Sequence, residues 1–533
     1  MSSPNSSRLR YRRVLKLAVF SCGLFSLCRQ VTFAQASAPK STTSAQTAGE
    51  LRVSRQLDAA RGNSEALYAF LYRMPKGADL HNHLTGAVYA ETFIEDAGED
   101  QLCVDTSAHA FLKPAASGCG LGQVPAVQLP ANPPLYDALV DAFSMRSFVA
   151  TPGVSGHDHF FDAFGKFSAI DARHTGQWLD EVATRAAAQN EQYLELMDTP
   201  AFSRAAALSQ QIAWNDDLAA YRNKLLAAGL RDEVATDRAH FDQAEALRNQ
   251  REHCGQANAV PACKVQIRYL YQILRGNLKE QVFAQTLLGF EVASVDPRVV
   301  GINYVQPEDG YLSMADYELH MRIVGFLHTL YPRVHISLHA GELAPGLVPY
   351  EGLCCHIREA VEVAHAERIG HGVDVMYEDR PHDLLDEMAA KHVMVEINLT
   401  SNDVILGVSG KDHPLPIYRK FGVPVALSTD DEGVSRIDLT HEYVRAVQTY
   451  GLNYSDLKQM VREGIEHAFL AGDSLWSAPE AFGRPAPACA QDTLGAEKPS
   501  ASCGRLLRKS EKAEQQWELE RRFRAFESSS TNP

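Results

Sequence analysis

The sequence predicts an α/β protein: a (β/α)8 TIM barrel with a disulfide-tied insertion after strand 1 and a C-terminal helical extension. Eight short apolar segments, each suited to a buried strand, alternate with longer amphipathic segments that suit helices. Strands and helices that alternate in this way form a parallel sheet. Chemically active residues follow four of these strands, and active sites of TIM barrels lie at the carboxyl ends of the strands.

The predicted strands cover residues 77–83, 192–197, 265–271, 299–305, 334–339, 368–370, 393–398 and 423–428. The predicted helices between them include residues 177–191, 203–228, 313–330, 355–366 and 382–391. A doubly wound open sheet is the alternative, but it would not place strand 1 beside strand 8. The barrel is favoured because the candidate ligands His81, His83 and Asp430 lie on these two strands and need to meet.

The first 36 residues are predicted to be a signal peptide. Basic residues precede an apolar segment over residues 15–27, and Ala34-Gln35-Ala36 provides the small residues of a cleavage site. A membrane anchor is disfavoured because this apolar run is shorter than the ~20 residues that span a bilayer. We therefore expect export to the periplasm or the extracellular space. Residues 37–50, rich in Ser, Thr, Ala and Gln, are predicted to be a flexible leader before a barrel over residues 51–476.

The composition points to a small-molecule partner. The chain has 533 residues, 45% of them hydrophobic, and a net charge of -15. This acidic balance argues against binding to nucleic acid or to an anionic membrane, because both need basic surface. The oligomeric state is left open, a homodimer being one option.

Two of the ten cysteines, Cys22 and Cys28, lie in the signal peptide, which leaves eight. Three local pairs in loop-like stretches are predicted disulfides of an oxidising compartment: Cys103 with Cys119, Cys254 with Cys263, and Cys489 with Cys503. We expect them to brace loops rather than form the core. The adjacent Cys354 and Cys355 are interpreted as two small buried hydrophobic residues at a helix start, in preference to a vicinal disulfide or a metal site.

Two excursions interrupt the barrel pattern. Residues 97–135, which hold the first cysteine pair and several prolines, are predicted to form a loop near the active-site mouth. The extension over residues 477–533 begins with a Pro- and Ala-rich loop and continues as a charged helix from Leu506 to about Phe526. Its mixed charges favour a solvated packing helix over a binding arm.

The residue types in the four strand-end clusters suit zinc. His81 and His83 lie on one face of a strand end, because strand side chains repeat every two residues. With His339 and Asp430 they offer three nitrogens and one carboxylate oxygen, a set that binds zinc and leaves one position for water. Zinc lowers the pKa of such a water toward ~7.

Three further residues can assist at such a site. Glu342 lies three residues after His339 in a Gly-containing loop and can face the same cavity as a proton donor. His371, between two glycines, can orient the water or stabilise developing charge. Asp431 follows Asp430 and points toward water or substrate. The structural alternatives are that Glu342 caps the next helix and that Asp431 is an N-cap.

These motifs resemble those of a known family. Met74-Pro-Lys-Gly, His81-Asn-His83-Leu-Thr-Gly-Ala, His339-Ala-Gly-Glu342, Arg368-Ile-Gly-His371-Gly and Ser428-Thr-Asp430-Asp431 occur in the order seen in adenosine deaminases, within the metal-dependent amidohydrolase superfamily. The resemblance covers residue 74 to about residue 470. The signal peptide and the cysteine-bearing insertion resemble the secreted adenosine deaminase growth factor branch.

The resemblance implies one zinc ion per chain, bound by His81, His83, His339 and Asp430. It also implies that Glu342 protonates purine N1, that His371 acts on the zinc-bound water and that Asp431 contacts N7 and the water. The substrate-binding residues that follow from it are His83, Thr85, Gln306 and Asp431. Thr85 replaces an Asp that holds the ribose 5′-hydroxyl in many members, Gln306 replaces a glycine whose N–H meets purine N3, and Glu432 replaces a proline.

The function implied is hydrolytic deamination of adenosine or 2′-deoxyadenosine to inosine and ammonia. Deamination of another 6-aminopurine nucleoside or nucleotide is the nearest alternative within this class. A secreted nucleoside-binding or signalling protein without turnover is the alternative from a different class. Glu342 and His371 favour the enzyme, because a binding protein has no need of them.

Overall fold

A parallel sheet of eight strands forms the centre of the molecule. The computed structural model describes residues 47–479 and 482–529. In this part of the chain the barrel strands, labelled β1 to β8, are Gly77–His83, Glu191–Asp198, Gln266–Leu274, Val299–Val305, His335–Ala340, Arg368–His371, Met394–Ile397 and Val425–Leu427. Each lies where the sequence predicts a strand.

The first and last strands meet, which closes the sheet. Neighbouring strands pair in chain order from β1 to β8, and a parallel bridge joins Asn82 to Asp430. The N–H of His83 donates to the carbonyl of Asp430 at 3.0 Å, and the N–H of Asp430 donates to the carbonyl of His81 at 2.8 Å. The predicted TIM barrel is therefore confirmed, and the doubly wound open sheet is excluded.

The α-helices surround this barrel and fill its connections. In chain order through the described ranges, α1 to α11 are Ala48–Ala60, Ser64–Arg73, Leu84–Ala87, Ala90–Glu99, Pro133–Ala142, Gly156–Phe167, Thr175–Ala188, Ser203–Gln211, Leu218–Ala227, Val234–Arg251 and Lys279–Ala293. Likewise α12 to α22 are Tyr311–Ala315, Tyr317–Leu330, His356–Glu362, Pro381–Lys391, Leu399–Leu406, Leu415–Phe421, Glu432–Ser435, Leu439–Tyr450, Tyr454–Glu466, Ala501–Leu507 and Glu511–Ser529. Over the same residues, no helix combines the length and the apolar character that crossing a bilayer requires.

Some helices differ from the prediction at polar breaks. The predicted helix over residues 203–228 is two helices, α8 and α9, because Asp217 starts the second by accepting from the N–H of Ala220 at 3.0 Å. The predicted helix over residues 313–330 divides into α12 and α13 at Asp316. α10 is not among the predicted helices, because its buried face includes the charged residues Asp237 and Arg248, which weaken the apolar pattern.

The structure describes the chain from residue 47 onward, so it includes only the end of the predicted N-terminal leader. The predicted signal peptide, residues 1–36, and most of the predicted leader lie outside the described residues. The end of the leader, up to residue 50, is corrected, because α1 begins at Ala48. Thr47 Oγ1 accepts from the N–H of Glu50 at 3.1 Å, and the Glu50 carboxylate accepts from the N–H of Thr47 at 2.7 Å. This capping box fixes the helix start.

The insertion after β1 holds a small antiparallel sheet with strands Cys103–Asp105, Ala110–Leu112 and Gln123–Pro125. The predicted disulfide Cys103–Cys119 is confirmed. The excursion continues beyond residue 135 into α5 and α6, and the strand Ala110–Leu112 packs against α6. Phe143 links the two, with its ring centroid 4.9 Å from that of Phe111 and 5.8 Å from that of Phe167 on α6.

The other two predicted disulfides, Cys254–Cys263 and Cys489–Cys503, are also confirmed. The second does more than brace a loop, because Cys489 and Cys503 are fully buried with Leu475 and Trp517 in an apolar cluster of the extension.

The predicted charged helix is corrected to α21 and α22. α22 packs on α20, where Lys458 and Arg462 bind the α22 carboxylates Glu527 and Glu520 at 2.6 and 2.7 Å.

The interpretation of Cys354 and Cys355 as two buried hydrophobic residues is wrong. The structure joins them in a disulfide, and both are half-buried. Cys355 has a left-handed backbone, with a φ of 84°, and its N–H donates to Glu378 Oε2 at 2.9 Å. This local conformation turns two sequence neighbours so that their sulfurs meet just before α14.

Candidate metal and catalytic site

Four of the predicted site residues meet around one point at the carboxyl end of the barrel. His339 Nε2 lies 3.1 Å from His81 Nε2 and 3.2 Å from His83 Nε2. Asp430 Oδ1 lies 3.3 Å from His81 Nε2 and 3.2 Å from His83 Nε2. The barrel therefore brings strands β1 and β5 and the end of β8 together as the zinc prediction requires.

Each of these three histidines is held by an oxygen acceptor on its other ring nitrogen. His81 Nδ1 donates to Glu396 Oε2 at 2.6 Å, His83 Nδ1 to Gln272 Oε1 at 2.8 Å and His339 Nδ1 to Asn303 Oδ1 at 2.7 Å. Such bonds fix the tautomer that leaves Nε2 free to bind a metal, as the outer contacts of metal-binding histidines commonly do.

This donor set fits zinc. A tetrahedral zinc site with bonds of about 2.0–2.1 Å separates its ligand atoms by roughly 3.3 Å, close to the 3.1–3.3 Å separations found here. His371 offers a further nitrogen, and its ligand atom lies within 4.8 Å of those of His81, His339 and Asp430. Its Nε2 is 3.9 Å from Asp430 Oδ2, so we assign it to the rim of the site.

Local backbone features make room for the cluster. A side chain at Gly370, next to His371, would come within 2.5 Å of His81 Cε1, so the Arg-Ile-Gly-His motif needs its glycine here. Asp430 and His371 both have left-handed backbone, with φ values of 62° and 71°. Residues other than glycine hold such conformations at a cost that the surrounding structure must offset, and they concentrate at functional sites.

A pocket of about 330 Å³ opens onto these groups. Its polar lining contains His83, Thr85, Gln272, Gln306, His339, Glu342, Asp430 and Asp431. Its apolar lining contains Phe160, Phe161, Phe164, Leu274, Val305, Pro307 and Ile405. His81 lies beneath the pocket and is fully buried. The pocket thus joins the candidate metal ligands to an aromatic wall on α6.

Glu342 is buried at the edge of this pocket, and its Oε1 lies 3.6 Å from His371 Nδ1. Burial, together with the charges of Asp430 and Glu308, raises the pKa of the Glu342 carboxyl well above its ordinary value. It does not cap a helix, because the next helical turn begins only at Tyr350. A carboxyl kept protonated in this way can donate a proton at neutral pH.

His371 is fixed as a neutral imidazole. Asn402 Nδ2 donates to His371 Nδ1 at 2.9 Å, and the amide orientation of Asn402 is set by His413, whose Nε2 donates to Asn402 Oδ1 at 3.0 Å. Burial lowers the pKa of His371 to about 3, against the opposing field of Asp430. The proton of His371 is therefore on Nε2, which faces Asp430.

Asp431 lines the pocket, and its carboxylate lies within 4.8 Å of the ligand atoms of His83 and Asp430. Burial raises the pKa of Asp431 to about 7. A Cβ at Gly86 would overlap Asp431 Oδ1, so the glycine of the His-Leu-Thr-Gly motif gives this carboxyl its space. Asp431 occupies the N-cap position of α18 but makes no side-chain capping bond there, in contrast to the N-cap alternative.

The three residues that differ from the resembled motifs lie in different surroundings. Thr85 lines the pocket. Gln306 has a left-handed backbone, with a φ of 82°, and its side chain turns aside to accept from the N–H of Gly276 at 2.8 Å. Glu432 faces away from the pocket and accepts from Arg185 Nη2 at 2.8 Å.

Sequence reasoning missed the aromatic wall and the acceptors behind the histidines. Phe160, Phe161 and Phe164 follow an i, i+1, i+4 spacing that could have indicated a one-sided helix face, but not which site it covers. Glu396 and Asn303 lie within apolar strands, where a single polar residue is the available signal of a buried bond.

The chain is similar over part of its length to known proteins. The chain spans 39% of the length of an adenosine deaminase from Salmonella schwarzengrund (strain CVM19633), at 39% identity over 140 residues, which are 26% of this chain. An adenosine deaminase from Shewanella loihica (strain ATCC BAA-1088 / PV-4) is 35% identical over 137 residues, 26% of this chain and 38% of that protein. A solved adenine deaminase from Arthrobacter aurescens is 18% identical, with 75% of this chain and 95% of that chain aligned at a TM-score of 0.49.

The strongest match is at the level of the family. The sequence profile of the family described as adenosine deaminase matches residues 179–475, which is more than half of the 533 residues. This range contains β2 to β8 and carries His339, Glu342, His371 and the Asp430-Asp431 pair. The chain therefore belongs to the adenosine deaminase family.

Proposed function

We propose that this protein is an exported, zinc-dependent hydrolase that converts adenosine or 2′-deoxyadenosine to the inosine product and ammonia. The observation that carries the proposal is that Glu342 and the ligand candidates His83, His339 and Asp430 line one pocket. A protonated carboxyl beside a site that can hold zinc is the arrangement that hydrolytic attack on an aromatic amine requires.

Zinc, when bound by His81, His83, His339 and Asp430, supplies a water nucleophile that is active at neutral pH. Side chains of the protein then transfer protons and stabilise charge. Addition at C6 breaks the ring conjugation and sends an electron pair to N1, where Glu342 donates a proton. The C6–N bond then breaks, the departing amine takes the proton of the added hydroxyl and leaves as ammonia, and the C6 carbonyl of the inosine product forms. His371 presents its Nε2–H toward Asp430, so it can stabilise charge that develops on the attacking oxygen.

The pocket suits a flat heteroaromatic ring. Phe160, Phe161 and Phe164 form one wall, and Ile405 and Leu274 add apolar surface. Aromatic side chains contact such rings favourably in offset or edge-on arrangements. The backbone of Gln306 keeps the left-handed conformation of a glycine, so its N–H remains available for purine N3. Asp431, whose pKa is raised to about 7, can donate to N7 when protonated.

The lining favours an uncharged nucleoside over a nucleotide. Among the described residues that line the pocket, none is Lys or Arg, and Glu342, Asp430 and Asp431 contribute carboxyl groups. A phosphate group would have no charge-assisted partner there. Thr85, in place of a carboxylate, can share a hydrogen bond with a sugar hydroxyl but carries no charge.

Export follows from the predicted signal peptide and agrees with the four disulfides among the described residues. Disulfides form and persist in oxidising compartments such as the periplasm or the extracellular space. The growth factor branch is the subtype that this combination favours. Fractionation of cells that express the full chain, with amino-terminal sequencing of the mature protein, tests this part of the proposal.

The activity is tested by following adenosine's ultraviolet absorbance with the purified protein. We expect the absorbance of adenosine to fall, the fall to stop after exhaustive chelation and the activity to return with added zinc. Adenosine monophosphate should react much more slowly than adenosine. The alternative hypothesis of a binding protein predicts a different result. The zinc-loaded protein would then bind adenosine but leave its absorbance unchanged.

A further inference from the structure

Glu308 is a buried carboxylate that binds the backbone of the loop after β5, the loop that carries Glu342. It follows β4, is 1% exposed and lies outside the pocket lining. Its Oε1 accepts from the N–H of Gly341 at 3.0 Å, and its Oε2 accepts from the N–H of Glu342 at 2.8 Å. One carboxylate therefore binds two successive N–H groups, one of them that of the candidate proton donor.

Two cationic or donor side chains complete the surroundings of Glu308. His356 Nδ1 donates to Glu308 Oε1 at 2.5 Å, and the ring of His356 stacks on that of Tyr317 at 3.6 Å. Arg275 Nη2 lies 3.9 Å from Glu308 Oε2, and Arg275 Nη1 donates to the carbonyl of His339 at 3.1 Å. Although burial opposes ionisation, His356 and Arg275 hold the pKa of Glu308 at about 2, so it is charged at neutral pH.

The other side of the same loop is equally constrained. Gly341 has a φ of 74°, and a Cβ there would meet Asp374 Oδ1 at 2.5 Å and the Ile357 side chain at 2.7 Å. The N–H of Val373 donates to the Gly341 carbonyl at 2.7 Å. The peptide between Gly341 and Glu342 is thus bound at both of its polar groups, by Glu308 at the N–H and by Val373 at the carbonyl.

We propose that Glu308 is a positioning residue that aims the Glu342 carboxyl at the substrate ring. This inference rests on the proposed function, because it assigns to Glu342 the proton transfer described above. The buried carboxylate accepts from two N–H groups, and hydrogen bonds to a charged acceptor are about twice as strong as neutral ones. Misplacing a reacting group by about 1 Å can cost on the order of 10²-fold in rate.

The chain offers a matched control for a substitution of Glu308. Glu233 is also buried, and its two carboxylate oxygens accept from the successive N–H groups of Arg204 and Ala205, both at 2.8 Å. It lies in the β2–β3 connection, away from the pocket lining. In Glu308→Gln and in Glu233→Gln alike, one carboxylate oxygen becomes an NH2 group that faces a backbone N–H.

The expected result separates positioning from mere stabilisation. We expect both variants to lose thermal stability, and only Glu308→Gln to lose kcat, by about 10²-fold, with KM nearly unchanged. A tetrahedral inhibitor that carries a hydrogen on its N1 equivalent should lose affinity by a similar factor, whereas an adenosine analogue with carbon in place of N1 should not. Equal kcat losses in the two variants, or equal weakening of both ligands, would overturn the inference.

A crystal structure of Glu308→Gln gives a readout that does not depend on activity. We expect the Glu342 carboxyl to leave its position 3.6 Å from His371 Nδ1, while the histidine cluster stays in place. An unchanged Gly341–Glu342 segment would also overturn the inference. A wild-type protein that fails to deaminate adenosine would instead defeat the proposed function, and the crystallographic comparison would still decide whether Glu308 sets the position of Glu342.

Discussion

Glu342 is the single residue that most sharply distinguishes an enzyme from a binding protein. Glu342→Gln keeps the size of the side chain but cannot give up a proton to N1. We expect the variant to bind zinc and inosine normally while kcat falls by about 10²–10⁴-fold, the usual contribution of a general acid. Steady-state kinetics with elemental analysis and inosine inhibition measure all three quantities.

The exposed Glu351 lies in the helical turn that follows this loop and provides the control. Glu351→Gln should leave kcat, zinc content and inosine affinity unchanged. If Glu342→Gln holds full zinc and retains more than about a tenth of the wild-type kcat, the loss is smaller than general acids supply, and Glu342 has another role.

His339 tests the metal site in the same way. His339→Ala removes one of four donors and leaves the Asn303 amide without its partner, so we expect zinc and activity to be lost together. His335 begins the same strand, is 41% exposed and pairs with Glu367 at 2.9 Å. His335→Ala should keep both. Full zinc in purified His339→Ala, measured by elemental analysis, would refute the ligand assignment.

At the scale of residues, the sequence indicated the donors but not the groups that orient them. His81, His83, His339 and Asp430 stand out because histidine and aspartate at strand ends have few other uses. Glu396, Gln272 and Asn303 look like isolated polar residues inside strands, and only the closed barrel shows that each one faces a histidine.

The insertion after β1 is the element that supports the aromatic wall of the pocket. Its strand Ala110–Leu112 packs on α6, and the Cys103–Cys119 disulfide closes a 16-residue loop beside it. Replacing both cysteines with alanine should lower the free energy of unfolding by about 3 kcal/mol. We also expect KM for adenosine to rise, because α6 loses part of its support.

Cys254 and Cys263 supply the matching control, since their disulfide lies in the β2–β3 connection. Their double alanine variant should lose stability with KM unchanged. Urea unfolding and steady-state kinetics measure the two effects. An unchanged KM in the Cys103/Cys119 variant would show that the insertion does not shape the pocket.

At the scale of elements, the strands were more predictable than the helices. A buried parallel strand needs only a short apolar run, and all eight runs form strands. Helix ends depend on side-chain caps such as Asp217, which sequence periodicity does not show. The Cys354–Cys355 disulfide was missed because it depends on the left-handed backbone at Cys355.

At the scale of the whole molecule, the barrel interior contains a buried ion cluster. Arg368 Nη2 lies 2.7 Å from Glu195 Oε2, and Arg368 Nε lies 2.7 Å from Glu396 Oε1. All three side chains are fully buried, and the guanidinium lies 3.8 Å from the ring centroid of Phe469. Glu396 also binds His81, so the cluster connects the barrel interior to the candidate metal site.

Arg368→Met should therefore destabilise the protein strongly. The substitution leaves two buried carboxylates without a counter-charge, which typically costs about 3–5 kcal/mol. Arg380→Met is the control, because that side chain is 65% exposed and its loss should change stability by less than about 0.5 kcal/mol. Urea unfolding measures both. Equal stabilities for the two variants would mean that the buried carboxylates are neutral in the folded protein.

The bridge between Asn82 and Asp430 has a consequence for the conformational entropy of the unfolded chain when a metal ion is bound. An ion bound to both His81 and Asp430 is a reversible cross-link across roughly 350 residues, and a covalent link over such a loop would remove on the order of 5–6 kcal/mol of unfolded-chain entropy. Metal binding is then thermodynamically linked to closure of the barrel between β1 and β8. The seam between the first and last strands is where the metal-free protein should open first, and hydrogen exchange there should slow when zinc is added.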